Sequence, residues 1–316
     1  MSALIALSRQ DASATLSRGS ENAPDRDALG DQQAQGFAAV INVDAGALSG
    51  IKRRRIAETL RSDVLGEGVR IFYADGAGLV DTLLAAAETR PKAVLVCGGD
   101  GTARTAIETL TPLGVASAPL PGGTLNRLVH TVYGEARLHS ILARIVSGGA
   151  RWIPAGVVGG HRFYAVSGYG AAMRLNAARE HVRALRWGKA ISALAAHSKR
   201  IFDEPLALGD DRTAVTCAII GLGPVDAAFG LARPARRDEF EIAAATLRGF
   251  GDGLKLAGRV AIKRWRKSPD VSVLNARSVL LEAPGDTLFA LLDGEPFELP
   301  KQVKISYQER AGLVWR

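Results

Sequence analysis

Beyond Gly36 the chain falls into short, largely apolar runs set between longer stretches whose apolar residues recur at helical spacing. The runs Phe37–Val43, Val69–Tyr73, Ala93–Cys97 and Val115–Leu120 predict strands buried on both faces, because a strand with one wet face would alternate polar and apolar residues. Between them, Ile51–Leu65, Leu79–Thr89 and Thr102–Leu110 predict helices, and two more follow at about Leu125 to Val132 and Arg137 to Val146. Buried strands alternating with helices predict an α/β fold with a mainly parallel sheet covered on both sides. In such sheets ligands settle at the carboxyl ends of the strands, where strand order switches.

After Gly148-Gly149 the pattern changes. One long helical stretch, about Arg174 to Ile201, precedes strand-like runs at Thr213–Ile220, Phe240–Ala245, Val271–Leu274, Ser278–Glu282 and Thr287–Leu292. Gly, Pro and Asp between these runs predict tight turns, hence a β-rich, sandwich-like second domain. The expected organisation is a mobile polar leader over 1–35, an α/β domain over 36–150 and a β-rich domain over 151–302. The segment from Met173 to Phe202 mixes Arg, Lys and Trp with Leu and Ala. Core packing with a basic outer face is the expected role, and an amphipathic membrane contact is the alternative.

Composition narrows the class. With 47% hydrophobic and 23% charged residues, the 316-residue chain can bury a substantial core. Its longest apolar run, Ala214 to Gly223, falls well short of the roughly 20 residues that cross a bilayer. Met1 to Leu7 lacks the length and basic start of an export signal. Cys97 and Cys217 both sit in apolar runs, so buried thiols in a reducing, cytoplasmic compartment are expected.

Forty basic against thirty-two acidic residues give a net charge of +8, which suits an anionic partner such as nucleotide phosphate or a phospholipid surface. Basic residues cluster at Lys52-Arg53-Arg54-Arg55, Arg233 to Arg237 and Lys263-Arg264-Trp265-Arg266-Lys267. No zinc-finger, RNA-recognition or basic-zipper pattern accompanies them, so nucleic acid is not the expected partner. The five histidines show no metal-ligand spacing.

Chemistry concentrates in loops. Gly98-Gly99-Asp100-Gly101-Thr102 follows a strand and opens a helix. Its glycines would let the backbone approach a polyanion, and the helix start offers unpaired N–H groups and the positive dipole end. Thr102 can cap that helix or bond a phosphate oxygen. Asp100 would repel a phosphate, so it makes sense as a group orienting magnesium or an acceptor hydroxyl. By itself the run is also a tight glycine turn. A second loop, Pro121-Gly122-Gly123-Thr124-Leu125-Asn126, offers glycine amides, a hydroxyl and a side-chain amide. Asn42-Val43-Asp44-Ala45-Gly46 ends the first strand, and Asp293-Gly294-Glu295 follows a late apolar run. Asp-Gly is also a favoured hairpin pair.

Taken together these residues resemble the diacylglycerol kinase catalytic family, which includes sphingosine and ceramide kinases. Asn42–Gly46, Gly98–Thr102, Pro121–Asn126 and Asp293–Glu295 stand in the family's order and approximate spacing over residues 37 to 316. The resemblance implies an ATP-dependent lipid kinase with nucleotide and Mg2+ in a cleft between the two domains. Asn42, Gly98, Gly99, Gly101, Thr102, Gly122, Gly123, Thr124 and Asn126 would then hold the nucleotide. Asp293 would be the general base, with Asp100 as the other candidate, while Asp100 and Glu295 would be linked to the metal. It also implies that 303–316 returns to the first domain, and that the enzyme meets its lipid at the inner leaflet, near anionic phospholipid. Arg127, Ala155 and Arg237-Asp238-Glu239 depart from the family pattern. An NAD kinase-like phosphotransferase and a silent nucleotide- or lipid-binding module are the rival readings.

Overall fold

The computed structural model describes residues 36–46, 50–61, 68–123, 126–134, 137–170, 173, 205–226 and 238–316. The expected leader, the helical stretch 174–201, the basic run Arg233 to Arg237 and Thr124 lie outside the described residues.

Four apolar runs form the expected parallel strands β1 (Ala38–Asn42), β2 (Arg70–Ala74), β3 (Ala93–Gly98) and β4 (Ala116–Pro121). They lie side by side as β4-β3-β1-β2, every pair parallel. The helices between and after them are α1 (Gly50–Thr59), α2 (Leu79–Glu88), α3 (Asp100–Leu110), α4 (Arg127–Tyr133) and α5 (Leu138–Ser147). Successive strand residues point to opposite faces, so each strand needs a cover on both sides. Val40 and Val96 pack with Leu83 of α2 and Leu110 of α3. Ile41 and Leu95 pack with Leu60, Leu128 of α4 and Ile141 of α5. This double burial is why these strands carry no polar alternation.

The strand-rich part comprises β5 (Ala150–Val158), β6 (His161–Phe163), β7 (Val166–Tyr169), β8 (Leu206–Leu208), β9 (Thr213–Val215), β10 (Cys217–Gly221) and β11 (Phe240–Ala245). Helix α6 (Phe250–Ala261) and strands β12 (Val271–Ala276), β13 (Ser278–Leu292) and β14 (Glu295–Trp315) complete it. Among the described residues all fourteen strands join one hydrogen-bonded sheet. The seam is β14, which pairs antiparallel with β13 and β5 and reaches β4 through Val314 and Ser117. Phe163 of β6 stacks on Phe240 of β11 at 5.9 Å, although β6 pairs only with β5 and β11 lies near the far edge. The sheet therefore folds over on itself, which gives the sandwich-like character.

Local differences have local causes. The run Thr213–Ile220 is two strands, because the Thr216 hydroxyl accepts from Leu247 N–H and donates to Leu247 O. That exchange turns the chain so that β9 pairs with β8 while β10 pairs with β7 and β11. Ser278–Glu282 and Thr287–Leu292 are one strand, with its pairing to β14 shifted between Glu282 and Thr287. Helix α6 stands where only strands were expected.

Candidate functional site

The loops Asn42–Gly46 (first along the chain), Gly98–Thr102 and Pro121–Asn126 leave β1, β3 and β4 at neighbouring carboxyl ends, and side-chain hydrogen bonds tie them together. Asn42 Nδ2 donates to Thr102 Oγ1 at 2.8 Å, while Asn42 Oδ1 accepts the Asp44 N–H at 2.9 Å. Both Asn42 and Thr102 are buried. Thr102 therefore does not cap α3, whose N-cap is Gly99 with no side-chain cap. Its side chain fills the space beside Gly98, where an added Cβ would stand 2.5 Å from it. Asn42 and Thr102, both expected at the nucleotide, thus join two loops, and each keeps one hydrogen to donate.

The glycines explain themselves in the same way. A Cβ on Gly122 would stand 2.7 Å from the Gly98 nitrogen, and one on Gly123 2.7 Å from the Gly99 α-carbon. Two backbones thus touch each other, which only glycine allows. Asn126, in the left-handed region at φ 48°, returns its Oδ1 to the N–H groups of Gly122 and Gly123 at 3.2 and 2.8 Å. Asp100 opens α3 and accepts the Leu128 N–H at 2.9 Å, joining α3 to α4. The first N–H groups of α3 have no partner within the helix, so the anion-attracting end is still presented.

The late acidic turn arrives at this place through β13. Asp293 and Gly294 both take positive φ, 51° and 99°, and close a two-residue hairpin between Leu292 and Glu295. The turn reading and the site reading are therefore compatible. Glu295 sits against Gly101 and forms an ion pair with Arg104. Arg104 also lies over the Phe297 ring at 5.2 Å. From the same turn, Gly294 lies beside the Arg127 guanidinium, where a Cβ would be 3.5 Å away.

Asp293 itself is buried and clasped. Its carboxylate accepts N–H groups of Tyr164 at 2.7 Å, Ala165 at 2.9 Å and Val166 at 3.0 Å. Burial pushes its pKa up to about 6 against the pull of those three amides, and the nearby Asp100 charge adds to the rise. Three of the roughly four lone-pair positions of the carboxylate are taken, leaving one on Oδ2.

Sequence reasoning missed Arg104, Glu108 and Tyr164. Asp100, Arg104 and Glu108 recur at four-residue spacing on one face of α3, and that spacing was the available signal. Burial raises the Glu108 pKa, Arg104 and Arg162 oppose the rise, and Asp293 and Glu295 add to it. The buried Tyr164 hydroxyl has no hydrogen-bond partner among the described residues.

For a divalent cation the donors are few. Among the described residues no three His, Cys, Asp or Glu side chains gather into a cage. Asp100 keeps Oδ2 after Oδ1 takes the Leu128 amide, which fits a magnesium ion arriving on phosphates. Glu295, expected at the metal, pairs through Oε2 with Arg104, whose guanidinium supplies a counter-charge. A groove of about 500 Å³ borders α1, lined by Arg53, Arg54, Arg61 and Tyr73, and of the first-loop residues only Val43 reaches it.

A parallel sheet with glycine loops at its carboxyl ends, joined to a folded-over β-rich part whose acidic hairpin meets those loops, defines a mixed α/β protein with its candidate site at the strand ends. Residues 37–158 match the family model of the diacylglycerol kinase catalytic domain. Among curated proteins nothing matches the chain. Crystal structures from Bacillus anthracis str. Sterne share the fold. One, described as a "putative diacylglycerol kinase", is 16% identical with TM-score 0.62, over 89% of this chain and 97% of that one. Another with the same description has 16% identity and TM-score 0.63 over the same shares. A third, described as a diacylglycerol kinase, has 14% identity and TM-score 0.58, again over 89% and 97%.

Proposed function

We propose that this protein is an ATP-dependent lipid kinase that transfers the γ-phosphate to a hydroxyl of a diacylglycerol-like, sphingoid or ceramide lipid. The observation that carries this reading is the contact of Glu295 with Gly101, which sets the acidic hairpin against the phosphate-attracting start of α3. The first amides of α3 and the glycine loops bind the nucleotide phosphates. Asp100 would hold Mg2+ through its free oxygen, and the ion would supply positive charge to offset that of the phosphates. Asp293, with a pKa near 6, accepts the proton of the lipid hydroxyl through its remaining Oδ2 position. Glu295 and Arg104 position that hairpin, and the Arg127 guanidinium beside Gly294 adds positive charge where the phosphoryl group passes.

The lipid is met at a membrane surface, a reading supported by the net charge of +8. No helix among the described residues is long and apolar enough to cross a membrane. The test is phosphate transfer from labelled ATP, with magnesium, to a panel of lipids in mixed micelles. Transfer to at least one lipid hydroxyl is expected. Transfer to NAD alone, or nucleotide binding without transfer to any lipid, would overturn the reading.

A further inference from the structure

Among the described residues, helix α6 packs on the sheet by one side. Leu256 and Val260 lie against Ala243, Val271 and Trp265. The opposite side is apolar and is left uncovered by the described residues. Leu254 is 65% exposed, Ile262 just past the helix is 62% exposed, and Ala257, Gly258 and Ala261 are exposed between them. A Cβ built on Gly251 or Gly258 would meet nothing within 4 Å. A helix apolar on both sides is normally covered on both. Around this uncovered side stand Lys255, Lys263, Arg264 and Lys267, all exposed, against a single acidic residue of the helix, Asp252.

The basic end of α6 is fixed in place. Trp265 is buried and donates its indole N–H to Asp226 at 2.8 Å, and Arg266 pairs with both Asp226 and the buried Glu241. This anchor lies at the rim where β10 ends. There Gly221 is paired with Val166, whose amide holds Asp293. Between β13 and β11, which carries Glu241, lie two strands, so the anchor stands about 15 Å from the acidic hairpin along the same rim.

From this we infer that the open side of α6, with Leu254 and Ile262 as apolar contacts and Lys255, Lys263, Arg264 and Lys267 as its cationic fringe, docks the protein on an anionic lipid bilayer. Charge complementarity selects that occupant. The same face of a second copy would meet like charge, whereas anionic headgroups meet the lysines while acyl chains take Leu254 and Ile262. The inference deepens the lipid-kinase reading, on which it rests for its purpose, by naming the face that brings the acidic rim to the membrane.

The experiment is flotation of the full chain with vesicles of phosphatidylcholine, with and without phosphatidylglycerol, alongside phosphorylation of lipid in detergent micelles. Wild-type protein should float only with the anionic vesicles. Lys263→Ala and Arg264→Ala should each weaken binding about fivefold, and Leu254→Ser with Ile262→Ser should weaken it further. Activity in micelles should be unchanged, since none of these residues belongs to the cleft. Vesicle binding unaffected by the variants would overturn the docking face. So would light scattering that shows a wild-type dimer broken by Leu254→Ser. Vesicle binding through α6 with no lipid phosphorylated by any form would instead sink the kinase reading and leave the docking face standing.

Discussion

The Glu295 carboxylate lies against the α-carbon of Gly101 so closely that a methyl group there would collide with its Oε1. A residue of the late hairpin thus occupies space that an early helix leaves open only by having glycine. Gly101→Ala should push the hairpin away from α3 and disturb the Arg104 pair. A displacement of about 1 Å costs on the order of 100-fold in rate, so kcat should fall by that order while the thermal transition changes little. Arg104→Ala should act in the same direction, with partial recovery in Arg104→Lys. Steady-state kinetics beside thermal unfolding checks both.

Asp293 ties stability and activity to pH in opposite senses. Its folded-state pKa of about 6 lies above the ordinary 3.8. Below pH 3.8 the carboxyl is neutral whether folded or unfolded. As pH rises through the window up to about 6, the unfolded chain gives up the proton first, so folding loses about 3 kcal/mol of stability. Activity should rise over the same window as the base ionises, with a midpoint near 6. Asp293→Asn should lose on the order of 100-fold in kcat and flatten that pH dependence of stability. Denaturation and rate profiles measured side by side test this, and an acid limb that survives in the variant would remove Asp293 as the base.

Asn126 holds the second glycine loop by accepting two backbone N–H groups. Asn126→Asp keeps the acceptor and tolerates the left-handed backbone, yet sets a carboxylate beside the phosphate-facing loop. The KM for ATP should rise about tenfold, with kcat and melting temperature near wild type, as titration of the nucleotide would show.

Arg266 supplies the cation for Glu241, whose side chain is 4% exposed. Arg266→Ala removes that charge and the bonds to Asp226 as well. The loss should be about 2–3 kcal/mol in urea denaturation, short of a fully buried pair because Arg266 is itself 37% exposed.

The parallel core was legible because strands buried on both faces must be short and apolar, as Ala93–Cys97 is. Helix α6 was not. Gly251, Gly253 and Gly258 each weaken a helix by about 1 kcal/mol, so the stretch reads as loop and strand until packing by Leu256 and Val260 outweighs propensity. Pro284-Gly285-Asp286 reads as a turn between two strands, yet β13 runs through it because pairing with β14 resumes at Thr287. The site glycines were visible as glycines. That Gly122 and Gly123 make room for Gly98 and Gly99, rather than for a ligand alone, depends on loops 24 residues apart in the chain meeting in space.

Local pattern and motif order by themselves determined the α/β class and the glycine-lined strand ends, since periodicity and turn chemistry act over a few residues. Only the tertiary structure decided what each polar group faces. Thr102 turns to Asn42, Glu295 to Arg104, and Asp293 to the amides of 164–166, more than a hundred residues away. Burial and hydrogen-bond partners set the charge and availability of a carboxylate, and both belong to the packed chain.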